Sequence, residues 1–239
     1  MSKEKQTPWQ KRMGRSLGSS FPKAIHRNRL LLLGVAVAFI GLMGIAVYAN
    51  SVGDNPIDDT IKKHTETQRR QMEGRAEEIQ TAPELIGFVL RNNLWVVVQT
   101  VGLGVGFGVF PLYVLVINAL TIGYIEATLN LPSVVALSLI LPHGAIELPA
   151  IIIAIGCGVK LGIGATKSLI QKKTRPLRKS GKDIADLLPG VFLLLIIAGF
   201  IEGLLALVSG PIINYLKIGF GFLNLSIVLL WLTGNLTKT

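Results

Sequence analysis

The residues of this chain that could do chemistry lie close together, at positions 141–149, in the run Leu-Pro-His-Gly-Ala-Ile-Glu-Leu-Pro. His143 and Glu147 place an imidazole and a carboxylate inside a stretch that is otherwise apolar. Four residues separate them, so on a helix they share one face and can bond to each other or to a common partner. We expect a buried polar network around the pair, and the proton of His143 is a candidate switch.

Metal and nucleophile chemistry need more groups than this segment supplies. A catalytic zinc site uses three protein ligands and keeps an open position, whereas residues 133–159 hold one histidine and one glutamate. The His-Glu-x-x-His signature is absent from the sequence, and segment 133–159 contains no Gly-x-Ser-x-Gly nucleophile elbow. We therefore expect no catalytic residue, no metal and no cofactor. An intramembrane hydrolase, the alternative, would need a metal or a second catalytic side chain within about 3 Å of His143.

Prolines and glycines determine how these polar groups are held. Pro142 and Pro149 each remove a backbone donor and bend a helix, so that neighbouring helices, polar side chains or water must satisfy the freed carbonyls. Together with Gly144 they predict a kinked helix whose polar residues lie at the kink. Upstream, Gly104 and Gly108 have the small-xxx-small spacing that favours close helix packing, within one bundle or between copies of the chain in a homo-oligomer. The alternative is a poorly helical stretch that lines a cavity.

Composition identifies the medium around these groups. Half of the residues are hydrophobic and the mean hydropathy is +0.55. A membrane span needs roughly 20 apolar residues, and residues 30–49 form such a run without any charge. A cleaved signal peptide is the alternative for this run, but its apolar core is too long for one. The lone cysteine, Cys157, excludes an internal disulfide. We predict an integral membrane protein with an all-α fold.

The distribution of charge predicts the orientation. Lys and Arg are enriched in cytoplasmic segments, and they dominate residues 1–29 and 160–187. Acidic residues exceed basic ones between positions 50 and 84, which favours the outside. Three crossings fit the 66-residue length of segment 94–159, and two more follow. The result is a polytopic transmembrane helical bundle of about six spans with both termini cytoplasmic.

The predicted organisation has six parts. The extracytoplasmic loop should contain a helix from Asn55 to about Gln80 and a short interfacial segment at 84–90, and Pro111 and Pro132 should mark turns. The alternative near Pro111 is a re-entrant half-helix or one bent helix in place of the second and third spans, so that both five and six spans stay open. The parts are a basic cytoplasmic arm (1–29), a first transmembrane helix (30–49), the extracytoplasmic loop (50–93), a three-span core (94–159), a basic cytoplasmic loop (160–187) and a C-terminal two-helix hairpin with a tail (188–239).

Other polar residues in or near the spans are candidate members of an interhelical hydrogen-bond network. Polar groups inside a membrane usually bond across helices. The candidates are Asn92, Asn93, Asn118, Glu126 and Glu202.

The formal net charge of +10 indicates the chemistry of one partner. Juxtamembrane Lys and Arg are attracted to anionic lipids, and no aromatic-interleaved platform or nucleic-acid motif accompanies them. We expect contact with membrane lipids and none with nucleic acid.

The sequence at 141–151, Leu-Pro-His-Gly-x-x-Glu-Leu-Pro-Ala-Ile, resembles the signature of the stage II sporulation protein M family. The resemblance covers roughly residues 88–164. The paired Asn92 and Asn93 match the family upstream, whereas Ala119 stands where the family has a glycine after Asn118. The family's glycine-rich pattern continues at Gly156, Gly158, Leu161 and Gly162.

The resemblance implies a non-enzymatic, multi-pass protein of the cell membrane. In spore formers, members of this family act with two extracytoplasmic partners that remodel peptidoglycan. Relatives also occur in bacteria and archaea that make no spores, so the expected function is a general scaffold that anchors a complex for remodelling the cell envelope. The alternative is a small-solute or ion transporter or channel with a polar site at the midplane. Its route would be lined by His143, Glu147, Asn118 and Glu202.

Overall fold

The computed structural model describes residues 7, 13–53, 55–76, 81–129, 131–205, 208 and 210–234. Within these residues the chain forms eight α-helices and no strand, so the all-α prediction is confirmed. Parts of the predicted basic arm, of the helix beyond residue 76 and of the C-terminal tail lie outside the described residues. The helices are α1 (Phe21–Arg27), α2 (Arg29–Val52), α3 (Pro56–Ala76), α4 (Ala82–Gly102), α5 (Val109–Thr128), α6 (Ser133–Gln171), α7 (Arg175–Leu205) and α8 (Pro211–Leu232).

Six of the described helices are long and apolar enough to cross a bilayer: α2, α4, α5, α6, α7 and α8. This confirms the predicted fold of about six spans and identifies a membrane protein. The exception among the long helices is α3, which carries Asp58 and Asp59 in its first turn and is polar along its length. It begins at Pro56, as the sequence predicts.

Contacts at the two ends of the bundle show that successive spans alternate in direction. At one end, which we call the basic end, Arg27 before α2 meets Asp183 near the start of α7, and Asp183 also pairs with Lys160 towards the end of α6. At the other, which we call the loop end, Ile61 of α3 packs against the end of α2 and, through Tyr124, against the end of α5. These contacts give the directions of four described spans, α2, α5, α6 and α7, and among them α5, α6 and α7 alternate along the chain.

The boundary between α4 and α5 differs from the predicted one. A capping box fixes the start of α4, because Thr81 Oγ1 accepts from the Glu84 N–H while Glu84 Oε2 accepts from the Thr81 N–H at 2.9 Å. The segment 84–90 is therefore the first part of α4 and not a separate interfacial element. The predicted turn at Pro111 is also wrong, since the chain turns where Phe107 and Gly108 adopt positive φ angles of 60° and 79°.

Pro111 is compatible with helix because of its position. It is the third residue of α5, and the first turn of a helix has no intrahelical partner for its N–H groups. The left-handed conformation at Gly108 favours glycine, so the break between α4 and α5 lies at Gly108.

The predicted basic loop, 160–187, is a helical hairpin. Helix α6 continues to Gln171, α7 begins at Arg175, and Lys172 in the turn between them has a left-handed φ of 51°. With 39 residues at about 1.5 Å each, α6 is roughly 58 Å long, nearly twice the thickness of the bilayer core. The hairpin therefore extends beyond the membrane unless α6 is strongly tilted.

The N-terminal segment packs onto the bundle at the basic end. Phe21 of α1 is fully buried and lies against Gly190 of α7. Its ring stacks on Trp231 of α8 with 4.5 Å between centroids, and Trp231 Nε1 donates to the carbonyl of Leu17 at 3.1 Å. These contacts tie the segment before the first span to the last one.

Candidate functional site

The polar pair of α6 meets a second carboxylate from α7. His143, Glu147 and Glu202 each offer one ligand atom, and these three atoms lie within 4.8 Å of one another. All three side chains are half-buried. We call these three residues the acid–imidazole cluster. It brings together residues of α6 and α7 that are more than 50 positions apart in the chain.

A third helix is joined to this cluster by a hydrogen bond. Asn93 Nδ2 of α4 donates to Glu147 Oε1 at 2.9 Å. A hydrogen bond to a carboxylate is stronger than one between neutral groups, and within a membrane it replaces the contact with water that both groups have lost. Asn93 and Glu202 were both candidate partners in the sequence, and the structure brings both to the pair.

The acid–imidazole cluster faces a cavity of about 530 Å³ between α4, α5, α6 and α7. Among the described residues that border the cavity there is no lysine or arginine. Asn118 of α5 borders it and also donates from Nδ2 to the Val114 carbonyl at 2.9 Å. Glu126, another candidate, is exposed and does not border the cavity. The polar residues that do are Asn92, Asn93, Thr100, Asn118, His143, Glu147 and Glu202.

The cavity lies within the apolar part of the bundle. His143 is the eleventh residue of α6 and Asn118 the tenth residue of α5, which places each about 15 Å from the start of its helix. A bilayer core is roughly 30 Å thick, so these residues lie near its middle. The cluster is a polar site at membrane depth.

The two prolines lie inside α6, which is continuous through both of them. Pro142 is fully buried, and its carbonyl accepts from Asn224 Nδ2 of α8 at 2.9 Å. Gly221 of α8 lies against Leu141, one turn before Asn224, and allows this close approach. A Cβ on Gly144 would meet only Ile140 of the same helix, at 3.5 Å, so Gly144 does not mediate the contact. The kink stays a prediction.

The glycines of the α4–α5 connection pack directly against α6. A Cβ on Gly104 would lie 2.5 Å from the Gly158 carbonyl oxygen, and Gly108 lies against Val159 and Gly162. We call these contacts the glycine seam. The seam supports the close-packing interpretation for Gly104 and Gly108, and it also places the break between α4 and α5 beside α6.

The sequence matches a known protein family. Residues 30–206 match the model of the family described as stage II sporulation protein M, which is more than half of the chain. The chain belongs to the stage II sporulation protein M family. The resemblance at residues 141–151 is thereby confirmed.

Two relatives in this family come from the archaeon Methanocaldococcus jannaschii, and both are named as uncharacterized proteins. One is 32% identical over 118 residues, which is 48% of this chain and 66% of the relative. The other is 29% identical over 187 residues, which is 74% of this chain and 81% of the relative. The chain thus spans slightly less than two thirds of the first relative. No solved structure matches the chain.

In this member of the stage II sporulation protein M family, the signature segment performs two structural tasks. Its polar residues His143 and Glu147 face the cavity, while Pro142 contacts α8. The glycines that follow face neighbouring elements: Gly156 lies against Leu32, and Gly158 lies against the Thr100 carbonyl. The segment is therefore both the polar lining of the cavity and the packing surface of the central helix.

Sequence reasoning missed Thr100 and Asp183, as well as Asn224 of α8. Thr100 follows Asn93 by two helical turns on the same face of α4; it is 1% exposed and borders the cavity. Asp183 is 4% exposed and forms ion pairs with Arg27 at 2.5 Å and with Lys160 at 2.7 Å. An acidic residue inside an otherwise basic segment was the available signal for Asp183. Its ion pairs lock the segment before α2 to α6 and α7.

The acid–imidazole cluster can hold protons, water or a cation. Within the described lining of the cavity there is no serine, cysteine or lysine beside His143. Thr100 is the one hydroxyl-bearing side chain in that lining, and it lies two turns from Asn93, about 10 Å along α4. The arrangement suits binding and helix association.

Proposed function

We propose that this protein is a non-enzymatic membrane scaffold that assembles or anchors an extracytoplasmic complex for remodelling the peptidoglycan of the cell envelope. Membership in the stage II sporulation protein M family supports a role of this kind. The observation that carries the proposal is α3, a polar helix that is fixed to the loop end of the bundle and leaves a charged surface open to a water-soluble partner.

The start of α3 is held firmly. Asn55 caps the helix, since its Oδ1 accepts from the Asp58 N–H at 3.0 Å, and its Nδ2 donates to the Ala49 carbonyl at 2.8 Å. Ile61 is 5% exposed and packs with Ala46 and Tyr124. A helix that is anchored in this way presents its outer face in a defined direction.

The outer face of α3 is charged. Asp59, Lys62, Lys63 and Thr67 are exposed, while Ile61 is buried between them. A mixed charged surface suits a polar, reversible contact with a soluble protein. The excess of acidic over basic residues in the sequence segment 50–84, and of basic residues in segments 1–29 and 160–187, supports an extracytoplasmic position for α3.

The proposal is tested by site-specific photo-crosslinking in native membranes. A photoreactive amino acid at Lys63 should crosslink to an extracytoplasmic peptidoglycan hydrolase or its activator, identified by mass spectrometry. The matched control is the same amino acid at Lys173, which is exposed in the α6–α7 turn at the opposite end of the bundle. Charge reversal at Asp59 and Lys62 should reduce the crosslinks at position 63. The absence of envelope-remodelling partners at position 63, or the same partners at position 173, would refute the scaffold.

A specific observation favours a second candidate, which is a small-solute or ion transporter or channel. Transporters bind their cargo near the bilayer midplane, at polar groups between helices, and the cavity beside the acid–imidazole cluster has this position. Reconstitution into proteoliposomes tests this candidate. A flux that disappears in the His143→Ala and Glu147→Gln variants, with folding intact, would favour transport over the scaffold.

A further inference from the structure

The acid–imidazole cluster brings two carboxylates together without a balancing basic side chain. The charged and titratable groups that face the cavity from its four helices are Glu147 and His143 of α6 and Glu202 of α7, whereas α4 and α5 contribute only amides, the Thr100 hydroxyl and apolar groups. Two carboxylates at this separation repel each other when both are ionised, unless a cation lies between them. The cluster therefore has the charge of a cation site.

An independent observation is an unpaired polar group in a residue of the same cavity. Thr100 borders the cavity, and its hydroxyl oxygen is buried and has no hydrogen-bond partner among the described residues. Buried hydroxyl groups are nearly always paired, and ordered water supplies the partner where protein does not. A cavity of about 530 Å³ has room for several waters, each of which occupies roughly 30 Å³ in the liquid. Water ligands are thus available beside the cluster.

We infer that the protein binds one divalent transition-metal cation through His143, Glu147 and Glu202, with water from the cavity completing its coordination. One imidazole and two carboxylates are a donor set that suits Zn²⁺ or Mn²⁺. The positive charge of the ion balances the two carboxylates. The site lies at the polar pair that the sequence marks, but it requires a third ligand from a different helix.

The geometry is close to that of a coordination site. Ligand atoms about 2.1 Å from a metal lie roughly 3–3.5 Å from one another, whereas the three candidate atoms lie within 4.8 Å. Small rotations of the Glu147 and Glu202 side chains would shorten the separations between the three ligand atoms to this range. Asn93, which donates to Glu147 Oε1, then orients a ligating carboxylate from outside the coordination sphere, a role that usually affects affinity tenfold or more. It is a positioning residue.

The ion would connect α6 to α7 and, through Asn93, to α4. This inference does not depend on the scaffold, because it concerns the middle of the membrane whereas the scaffold proposal rests on α3. If the crosslinking experiment fails, the metal-site inference still stands. If no metal binds, the scaffold proposal still stands.

Metal binding to the full-length protein tests the inference. The chain is purified in detergent through an affinity tag without histidines, stripped with a chelator and titrated with ZnCl₂ by calorimetry, and MnCl₂ is titrated in parallel. We expect one equivalent of bound metal per chain and an upward shift of the thermal unfolding midpoint, because a ligand that binds the native state stabilises it.

Variants identify the ligands. Glu147→Gln, Glu202→Gln and His143→Ala should each weaken binding at least about tenfold, and Asn93→Ala should weaken it about tenfold. The matched controls are Glu126→Gln, a glutamate in a span outside the cavity, and His26→Ala, an exposed histidine at the basic end. They should bind as the unmodified protein does. Circular dichroism and size-exclusion chromatography establish that each variant is folded.

The inference has clear contrary outcomes. No stoichiometric binding by the unmodified protein would overturn it, as would binding that survives Glu202→Gln or that is lost in the His143 variant alone. X-ray absorption at the metal edge provides a readout that needs no variant. We expect nitrogen and oxygen ligands with the signature of one imidazole, and a sulfur ligand or the absence of imidazole would also overturn the site.

Discussion

The glycine seam gives the sharpest stability prediction, through the substitution Gly158→Ala. A Cβ at this position would lie 2.5 Å from the Thr100 carbonyl oxygen and would also meet the ring of Pro111. Carbon–oxygen contacts are normally about 3.3 Å or longer, so the two backbones must separate by roughly 0.8 Å. Overpacking of this kind lowers the free energy of unfolding by about 1–3 kcal/mol. We expect the upper part of that range, because neither the backbone nor a proline ring can rotate away from the added methyl group.

The gain in helix propensity offsets part of this cost. Alanine stabilises a helix interior by about 1 kcal/mol relative to glycine, so Gly158→Ala should lower the free energy of unfolding by about 1–2 kcal/mol. The matched control is Gly181→Ala in α7, where a Cβ meets no atom within 4 Å and stability should rise by about 0.5–1 kcal/mol.

Unfolding in mixed micelles, followed by tryptophan fluorescence, measures both glycine variants. The fluorescence reports on the tertiary structure because Trp231 packs against Phe21. If both variants change stability in the same direction, α6 does not pack on the α4–α5 connection as described.

Three further predictions concern the two ends of the bundle. Asp183→Asn should lower the unfolding free energy by about 2–3 kcal/mol in the same assay. This is less than for a fully buried ion pair, because Arg27 is 44% exposed. An unchanged unfolding free energy would contradict the stabilising role of the ion pairs of Asp183. Thr81→Ala removes the cap of α4 and should cost about 1 kcal/mol, whereas Thr67→Ala, on the surface of α3, should cost less than half of that. Cysteines introduced at Gln68 and Lys173 should react with impermeant reagents from opposite sides of the membrane, while Cys157 is buried; labelling from one side would refute the alternation of spans.

The sequence was sufficient to predict the number of spans and the central polar pair. Both follow from local properties: an apolar run of about 20 residues can only be buried or span a bilayer, and a polar group inside it needs compensation. Glu202 was recognisable as a candidate for the same reason, whereas the paired asparagines of the family resemblance indicated Asn93.

The partner of each polar residue could not be predicted. The hydrogen bond from Asn93 to Glu147 joins residues 54 positions apart, and only the packing of α4 on α6 selects it. Asn118 and Glu126 lie on the same helix and were equal candidates, yet the packing of α5 turns one towards the cavity and leaves the other exposed. Global geometry, rather than residue type, separates them.

Helix boundaries were mispredicted because the end of a membrane span is not the end of a helix. The basic residues at 160–187 indicate where the chain leaves the bilayer, but Lys and Arg are good helix formers in water, so α6 continues to Gln171. A proline in an apolar run predicts a turn, but it is also compatible with the first turn of a helix, which is where Pro111 lies. The break belongs to Phe107 and Gly108.

The most direct test of the polar site is a double-mutant cycle between Asn93→Ala and Glu147→Ala, measured as unfolding free energies in mixed micelles. Interhelical hydrogen bonds in membranes contribute about 0.6–1.7 kcal/mol, and a carboxylate acceptor strengthens the bond. We expect a coupling free energy of about 1–2 kcal/mol for this pair, and none between Asn93 and Glu126. Effects of Asn93→Ala and Glu147→Ala that add within about 0.3 kcal/mol would contradict the convergence of α4 and α6 on one polar site.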